Sequence, residues 1–109
     1  MKTKTDLALR HAALKEALCD SYGEGIVLLE PEHYDEAIVG ISHEERLIYS
    51  YEKLIDALIE YDGMSYEDAV EWISYNTIRA IPYMGPNAPI IMFSPDEILG
   101  SPAASKDNE

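Results

Sequence analysis

The sequence predicts an α+β fold: a small, mostly antiparallel sheet of three to four strands, a helix pair on one face of it, and an added N-terminal helix. Strand-like and helix-like segments fall in clusters and do not alternate, which argues against a parallel α/β architecture. A chain of 109 residues has room for one hydrophobic core. Its 47% apolar and 27% charged residues are ordinary globular proportions, so the chain is expected to fold despite its acidity. Residues 1–100 are expected to form a single domain, and residues 101–109 a disordered tail.

The first element is a helix ending at Tyr22. Leu7, His11, Leu14, Leu18 and Tyr22 recur at spacings of three and four, four alanines supply propensity, and Gly23 stands where a helix terminates. Thr3 or Thr5 is its N-cap, and Asp6 three residues after Thr3 resembles a capping box. Ile26 to Leu29, closed by Pro31, suits a buried strand, with continued helix as the alternative. From Asp35 to Tyr51 the pattern is a hairpin, with Ala37 to Ile41 and Leu47 to Tyr51 as strands and Ser42 to Glu45 as the turn. Gly40 inside the first strand points to a bulge or a close approach.

Ser50 then caps a helix with Tyr51, Leu54, Ile55, Leu58 and Ile59 as its apolar stripe, and Gly63 closes it. Ser65 and Asp68 form a capping box for the next helix, Met64 and Ala69 a hydrophobic staple, and Ala69, Val70, Ile73, Thr77 and Ala80 its inner face. The short connection makes these two helices an antiparallel pair. Pro82, Gly85, Pro86 and Pro89 make 81–89 a loop. Ile90 to Phe93 is a fourth strand paired with the hairpin, followed by a helical turn with Ser94, Pro95 and Glu97 as N-cap, N1 and N3.

Charge is the most uneven property of the chain. Fourteen of the 21 acidic residues lie between Glu24 and Glu71, opposed only by Arg46 and Lys53, out of a total charge of −13. Such a field repels nucleic acid and anionic membrane and steers basic partners, so direct nucleic-acid binding is excluded. Cys19 is the only cysteine, which removes internal disulfides and thiolate clusters and suits a reducing, cytoplasmic setting. No apolar run approaches the ~20 residues of a membrane span. The glycines form no phosphate-cradling pattern, and no cofactor is expected.

Chemistry-bearing residues are sparse. His33, Asp35, Glu36, His43, Glu44 and Glu45 flank the hairpin, but their spacing matches no established metal site, and solvated turn residues are the preferred reading. His11, on the inner stripe, is read as a satisfied core histidine, and Cys19, one residue off that stripe, as a packing residue. Eight tyrosines against one Phe and one Trp either cover the core edge or form an interface. Asn76 and Arg79 share a helix face, either as a small polar site or, preferentially, with Arg79 capping the helix C-terminus.

The segments Tyr34 to Gly40, Tyr49 to Lys53, Met64 to Ala69, Tyr75 to Thr77 and Ala88 to Ile90 resemble small acidic proteins encoded by phages and prophages, over about residues 30–93. The leading helix lies outside the resemblance. That group has no established activity, so the resemblance implies a genomic setting and not a mechanism. Combined with the charge map, the expectation is a non-enzymatic protein that inhibits or modulates a basic host protein, such as a nucleic-acid-binding defence complex, by acting as a nucleic-acid mimic. The expected partner-binding residues are Glu44 and Glu45 on the turn, Glu52, Asp56 and Glu60 along the second helix, and Glu67, Asp68 and Glu71 at the start of the third. The alternatives are a homo-oligomeric structural or assembly protein and a small metal-dependent enzyme built on the hairpin carboxylates and His43.

Overall fold

The computed structural model of the chain describes residues 3–95. The helical turn expected to run through Glu97 extends beyond the described residues, and the tail expected at 101–109 falls wholly outside them.

Helix α1 (Lys4–Tyr22) begins where Thr3 accepts a hydrogen bond from the Asp6 amide, and it ends at Gly23, whose φ of 92° suits glycine. Only Leu7, His11 and Leu18 of its 19 residues are buried. It packs against a 3₁₀ turn at Glu32–Ala37 that follows the cis Glu30–Pro31 peptide. The intervening run Ile26 to Leu29 is not a strand. Ile26 and Leu29 do enter the core, but the Leu29 amide donates to the Tyr49 hydroxyl (2.8 Å), so a side chain satisfies what a neighbouring strand was expected to satisfy.

Strand β1 (Ile38–Ile41) pairs antiparallel with β2 (Leu47–Ser50), so the hairpin stands, with Ala37 transferred to the 3₁₀ turn. The register slips between Ile38 and Gly40, which oppose Tyr49 and Ile48, and exposed Val39 is the extra residue of the bulge. At the tip, the Glu45 amide bonds to the Ser42 carbonyl and the Ser42 amide to the Arg46 carbonyl, both at 2.8 Å. Glu45 takes a φ of 66°, as the last residue of a three-residue hairpin loop must.

Helix α2 (Tyr51–Asp62) starts at Ser50, whose side chain accepts from the Lys53 amide, and stops at left-handed Gly63. Leu54, Ile55, Ala57 and Leu58 are its buried face. Helix α3 (Tyr66–Trp72) starts at Ser65, which accepts from the Asp68 amide, and packs against α2. It continues without a break into a wider π turn (Ile73–Thr77) and a tighter 3₁₀ turn (Ile78–Tyr83) that contains Pro82. Ala69, Ile73 and Thr77 stay buried through these changes, so the expected inner face holds although the hydrogen-bond period does not.

Strand β3 (Ile90–Met92) lies beside β2 with Ile48, Tyr49 and Ser50 opposite Ile90, Ile91 and Met92, and it runs parallel. The order is β1-β2-β3, and the expected mostly antiparallel sheet is thus a mixed one of three strands. The parallel pairing follows from the long helical connection at 51–89, since a parallel neighbour needs a crossover and a tight turn cannot provide it. Tyr34, Tyr49, Leu54, Leu58 and Ile73 form the centre of a core to which the strands, the 3₁₀ turn and all three helices contribute.

Candidate functional site

The acidic residues expected to meet a partner fall on three elements. Glu44 and Glu45 are exposed at the hairpin tip, held there by Ser42, whose hydroxyl accepts from the Glu44 and Arg46 amides at 3.2 and 3.1 Å. Glu44 approaches Arg46 Nη1 at 3.5 Å, a solvent-washed pair of little energetic weight. Arg46 Nε donates instead to the Ala88 carbonyl at 2.6 Å, so one of the two cations in the acidic window anchors the chain entering β3.

Glu52 is turned to structural use. It is half-buried, accepts from the Ser50 hydroxyl at 3.3 Å, and receives the Ser94 amide just beyond β3 at 3.2 Å. Asp56 and Glu60 are exposed at i and i+4 on α2, where like charges share a face. Glu67, Asp68 and Glu71 are exposed on α3. No cation among the described residues pairs with any of these five.

Asp68 and Glu71 border an open groove of about 400 Å³ whose other lining residues are Met64, Trp72, Tyr75 and Asn76. Trp72, the last residue of α3, and Tyr75, in the π turn that follows, are 46% and 59% exposed. Asn76 Nδ2 donates to the Trp72 carbonyl (3.2 Å), and the Arg79 guanidinium lies 5.5 Å from the Tyr75 ring centre. The preferred reading of Arg79 as a helix cap is therefore replaced by a cation–π contact. Sequence reasoning singled out Asp68 and Glu71 as partner-binding and Asn76 as part of a small polar site, but it did not join them through Trp72 and Tyr75 into one groove. The outer positions 68, 71, 72, 75 and 76 keep helical spacing too, and an unassigned tryptophan among acids was the available signal.

The eight tyrosines divide evenly. Tyr34 and Tyr49 are core residues and Tyr51 and Tyr61 are half-buried, whereas Tyr22, Tyr66, Tyr75 and Tyr83 are exposed.

A second polar cluster joins α1 to the body. His11 Nδ1 faces both Asp35 carboxylate oxygens at 3.0 and 2.8 Å, and His11 Nε2 faces Glu30 at 2.8 Å. Burial pulls the imidazole pKa down, but the hydrogen bonds and charges of Asp35 and Glu30 outweigh it and leave it above its usual 6.5. Burial also raises Asp35 above its usual value, against the lowering pull of His11. Two acceptor-only carboxylates at the two ring nitrogens suit the imidazolium, which donates from both. An Asp–His pair of this kind orients a general base in some hydrolases. Here Glu30 occupies the position a nucleophile would need, and the cluster is a clamp. The reading of His11 as a satisfied buried histidine holds.

The other hairpin-flanking residues separate. His33 bonds Asp62 at 3.1 Å and stands edge-on to Tyr34, Tyr61 donates to Glu36 at 2.9 Å, and His43 is exposed. Among the described residues no group of three or more His, Cys, Asp or Glu is placed to hold a metal ion. Cys19 is a free, half-buried thiol. No described helix is long and apolar enough to cross a membrane.

Compared with known proteins, the chain matches no family model, no curated protein and no solved structure.

Proposed function

We propose that the protein is a non-enzymatic binding protein whose acidic surface engages a basic protein of a bacterial host, modulating or inhibiting it in the manner of small phage-encoded effectors. One observation supports this above others. Asp56, Glu60, Glu67, Asp68 and Glu71 are exposed on capped, core-backed helices and meet no cation among the described residues. Carboxylates fixed in this way present a shaped negative field, and a groove built to bind nucleic acid is the complementary surface. The resemblance over residues 30–93 favours host machinery as the partner class, with a nucleic-acid-binding defence complex the preferred target.

Capture of partners from bacterial lysate on the immobilised full chain tests the proposal. A bound partner is expected to be displaced by duplex DNA and to bind at least about tenfold more weakly to the Asp56→Lys, Glu60→Lys double variant, because like charges across an interface cost several kcal/mol. Equal capture by variant and parent would reject the acidic-face mechanism. Glu52 is kept intact because it holds the residue after β3.

Self-assembly is the second reading. Among the described strands β3 lies at an edge of the sheet, and Met92 and Phe93 are 42% and 53% exposed at its end, a surface from which a further strand could pair. A solution mass at a multiple of 12.2 kDa by light scattering would favour it.

A further inference from the structure

We propose that the groove on α3 is a receptor for an arginine side chain of the basic partner, with Trp72 and Tyr75 taking the guanidinium plane and Asp68 and Glu71 its N–H donors. The inference rests on the reading of the acidic face given above and names the group that face recognises.

The chemistry of the lining selects the occupant. The side chains offer two aromatic rings, two carboxylates and, because the Asn76 amide nitrogen is turned to the Trp72 carbonyl, one amide oxygen. These are π faces and acceptors, with Met64 as the thioether beside them. Guanidinium is the biological cation that both stacks as a plane and donates in several directions, whereas an ammonium is a compact, strongly hydrated point charge. Anions are repelled, and a purely apolar ligand would gain nothing from Asp68 and Glu71.

One of the two rings, Tyr75, already holds a guanidinium. Arg79 lies over Tyr75 and does not line the groove, so the ring is engaged by a cation from outside while it remains part of the groove wall. At about 400 Å³ the groove is near the lower end of the ~300–1,000 Å³ typical of ligand sites, a size for one long side chain and its flanking backbone. Ala69 and Ile73 fill the core from the same helical stretch, and although Trp72 lies beside the buried Tyr34 hydroxyl, it stays 46% exposed and Tyr75 59% exposed on the groove side.

Trp72 is the only tryptophan, so its fluorescence reports from inside the groove. The full chain would be titrated with acetyl-Gly-Arg-Gly-Arg-Gly-amide and with peptides carrying lysine or the uncharged isostere citrulline at the two arginines. A saturable change in emission is expected with arginine, about fivefold weaker binding with lysine, and none with citrulline. Tyr75→Ala should weaken the arginine peptide by about two- to fivefold, the worth of one exposed cation–π contact. The pair Asp68→Asn, Glu71→Gln should weaken it more than Asp56→Lys, Glu60→Lys does.

No saturable change, or equal binding of the three peptides, overturns the inference. So does an emission change on simple dilution accompanied by halving of the mass, which would mean that a second copy covers the groove. If the arginine peptide fails while partner capture still responds to reversal of Asp56 and Glu60, the arginine receptor falls and the acidic-face reading stands. If capture also fails to respond, both fall.

Discussion

Tyr34 and Tyr49 are 1% and 0% exposed, yet their hydroxyls are in different circumstances. Tyr49 accepts the Leu29 amide, and its pKa is pushed far up by burial. The Tyr34 hydroxyl lies beside Thr77 and Trp72 without a closed hydrogen bond to either. Tyr49→Phe is therefore expected to lower stability by about 1–3 kcal/mol, because it strands a buried amide, while Tyr34→Phe stays within ~1 kcal/mol of the parent. Urea unfolding of the two variants reads the difference directly. Equal losses would mean that the Tyr34 hydroxyl has a partner worth as much as Leu29.

The His11 clamp gives a pH signature at the same scale. With its folded pKa above 6.5, His11 contributes stability that is fully present below 6.5 and is lost as pH rises through the folded value. Asp35 acts in the same sense from 3.8 upward, since its folded pKa is also raised. Thermal melts should show Tm falling from pH 6 to pH 9, with that fall flattened in His11→Gln. His11→Ala should cost about 3–5 kcal/mol, the usual result of removing one partner of a buried charge pair, and should release α1 first, visible as faster amide exchange at residues 7–18. Uniform acceleration over the whole chain would show instead that α1 is integral to the core.

Among the elements, the hairpin tip carries the clearest local strain. A non-glycine residue in the left-handed region costs roughly 1–2 kcal/mol, and Glu45 accepts that at the loop position where glycine is favoured. Glu45→Gly should raise stability by about 1 kcal/mol or less, after the larger unfolded-state entropy of glycine is deducted, and a calorimetric Tm checks it. A lower Tm would place the Glu45 side chain in a contact that outweighs the strain.

The caps were legible in the sequence because capping is local. Thr3, Ser50 and Ser65 each accept an amide three residues on, and Gly23 and Gly63 close their helices. Ile26 to Leu29 was not legible as coil, because its amide partner is a hydroxyl 20 residues away. The π and 3₁₀ turns after α3 escaped for a different reason. Ile73 and Thr77 share a face at i and i+4 in an α-helix and in a wider π turn alike, and the 3₁₀ turn after them buries no residue that could mark its period.

For the whole molecule, charge dominates. At −13 the compact state is held against its own repulsion, and Arg46 and Lys53 give little relief because they are two cations among fourteen acidic residues. Raising NaCl from ~10 to ~150 mM shortens the screening length from about 30 to 8 Å and should raise Tm. A falling Tm would show that favourable pairs such as the His11 clamp outweigh the repulsion. The acidic window was visible from composition alone, and the structure divides its members by use: Glu30, Asp35, Glu36 and Glu52 hold the fold together, while the outer faces of α2 and α3 leave theirs to solvent. That division depends on partners 19 to 42 residues distant, which no local pattern encodes.

The parallel seat of β3 bears on how the chain is made. During synthesis β1 and β2 can close as soon as they emerge, but the far side of β2 waits for residues 90–92, the last strand described. Until then a nascent chain carries an open ladder of unpaired N–H and C=O groups on β2, and two side-chain hydrogen bonds that help fasten the arriving segment, Arg46 to Ala88 and Ser94 to Glu52, each bridge 42 residues. A ribosome stalled before Ile90 would therefore present a half-finished sheet to chaperones, and the sheet is completed only once residues 90–92 are available.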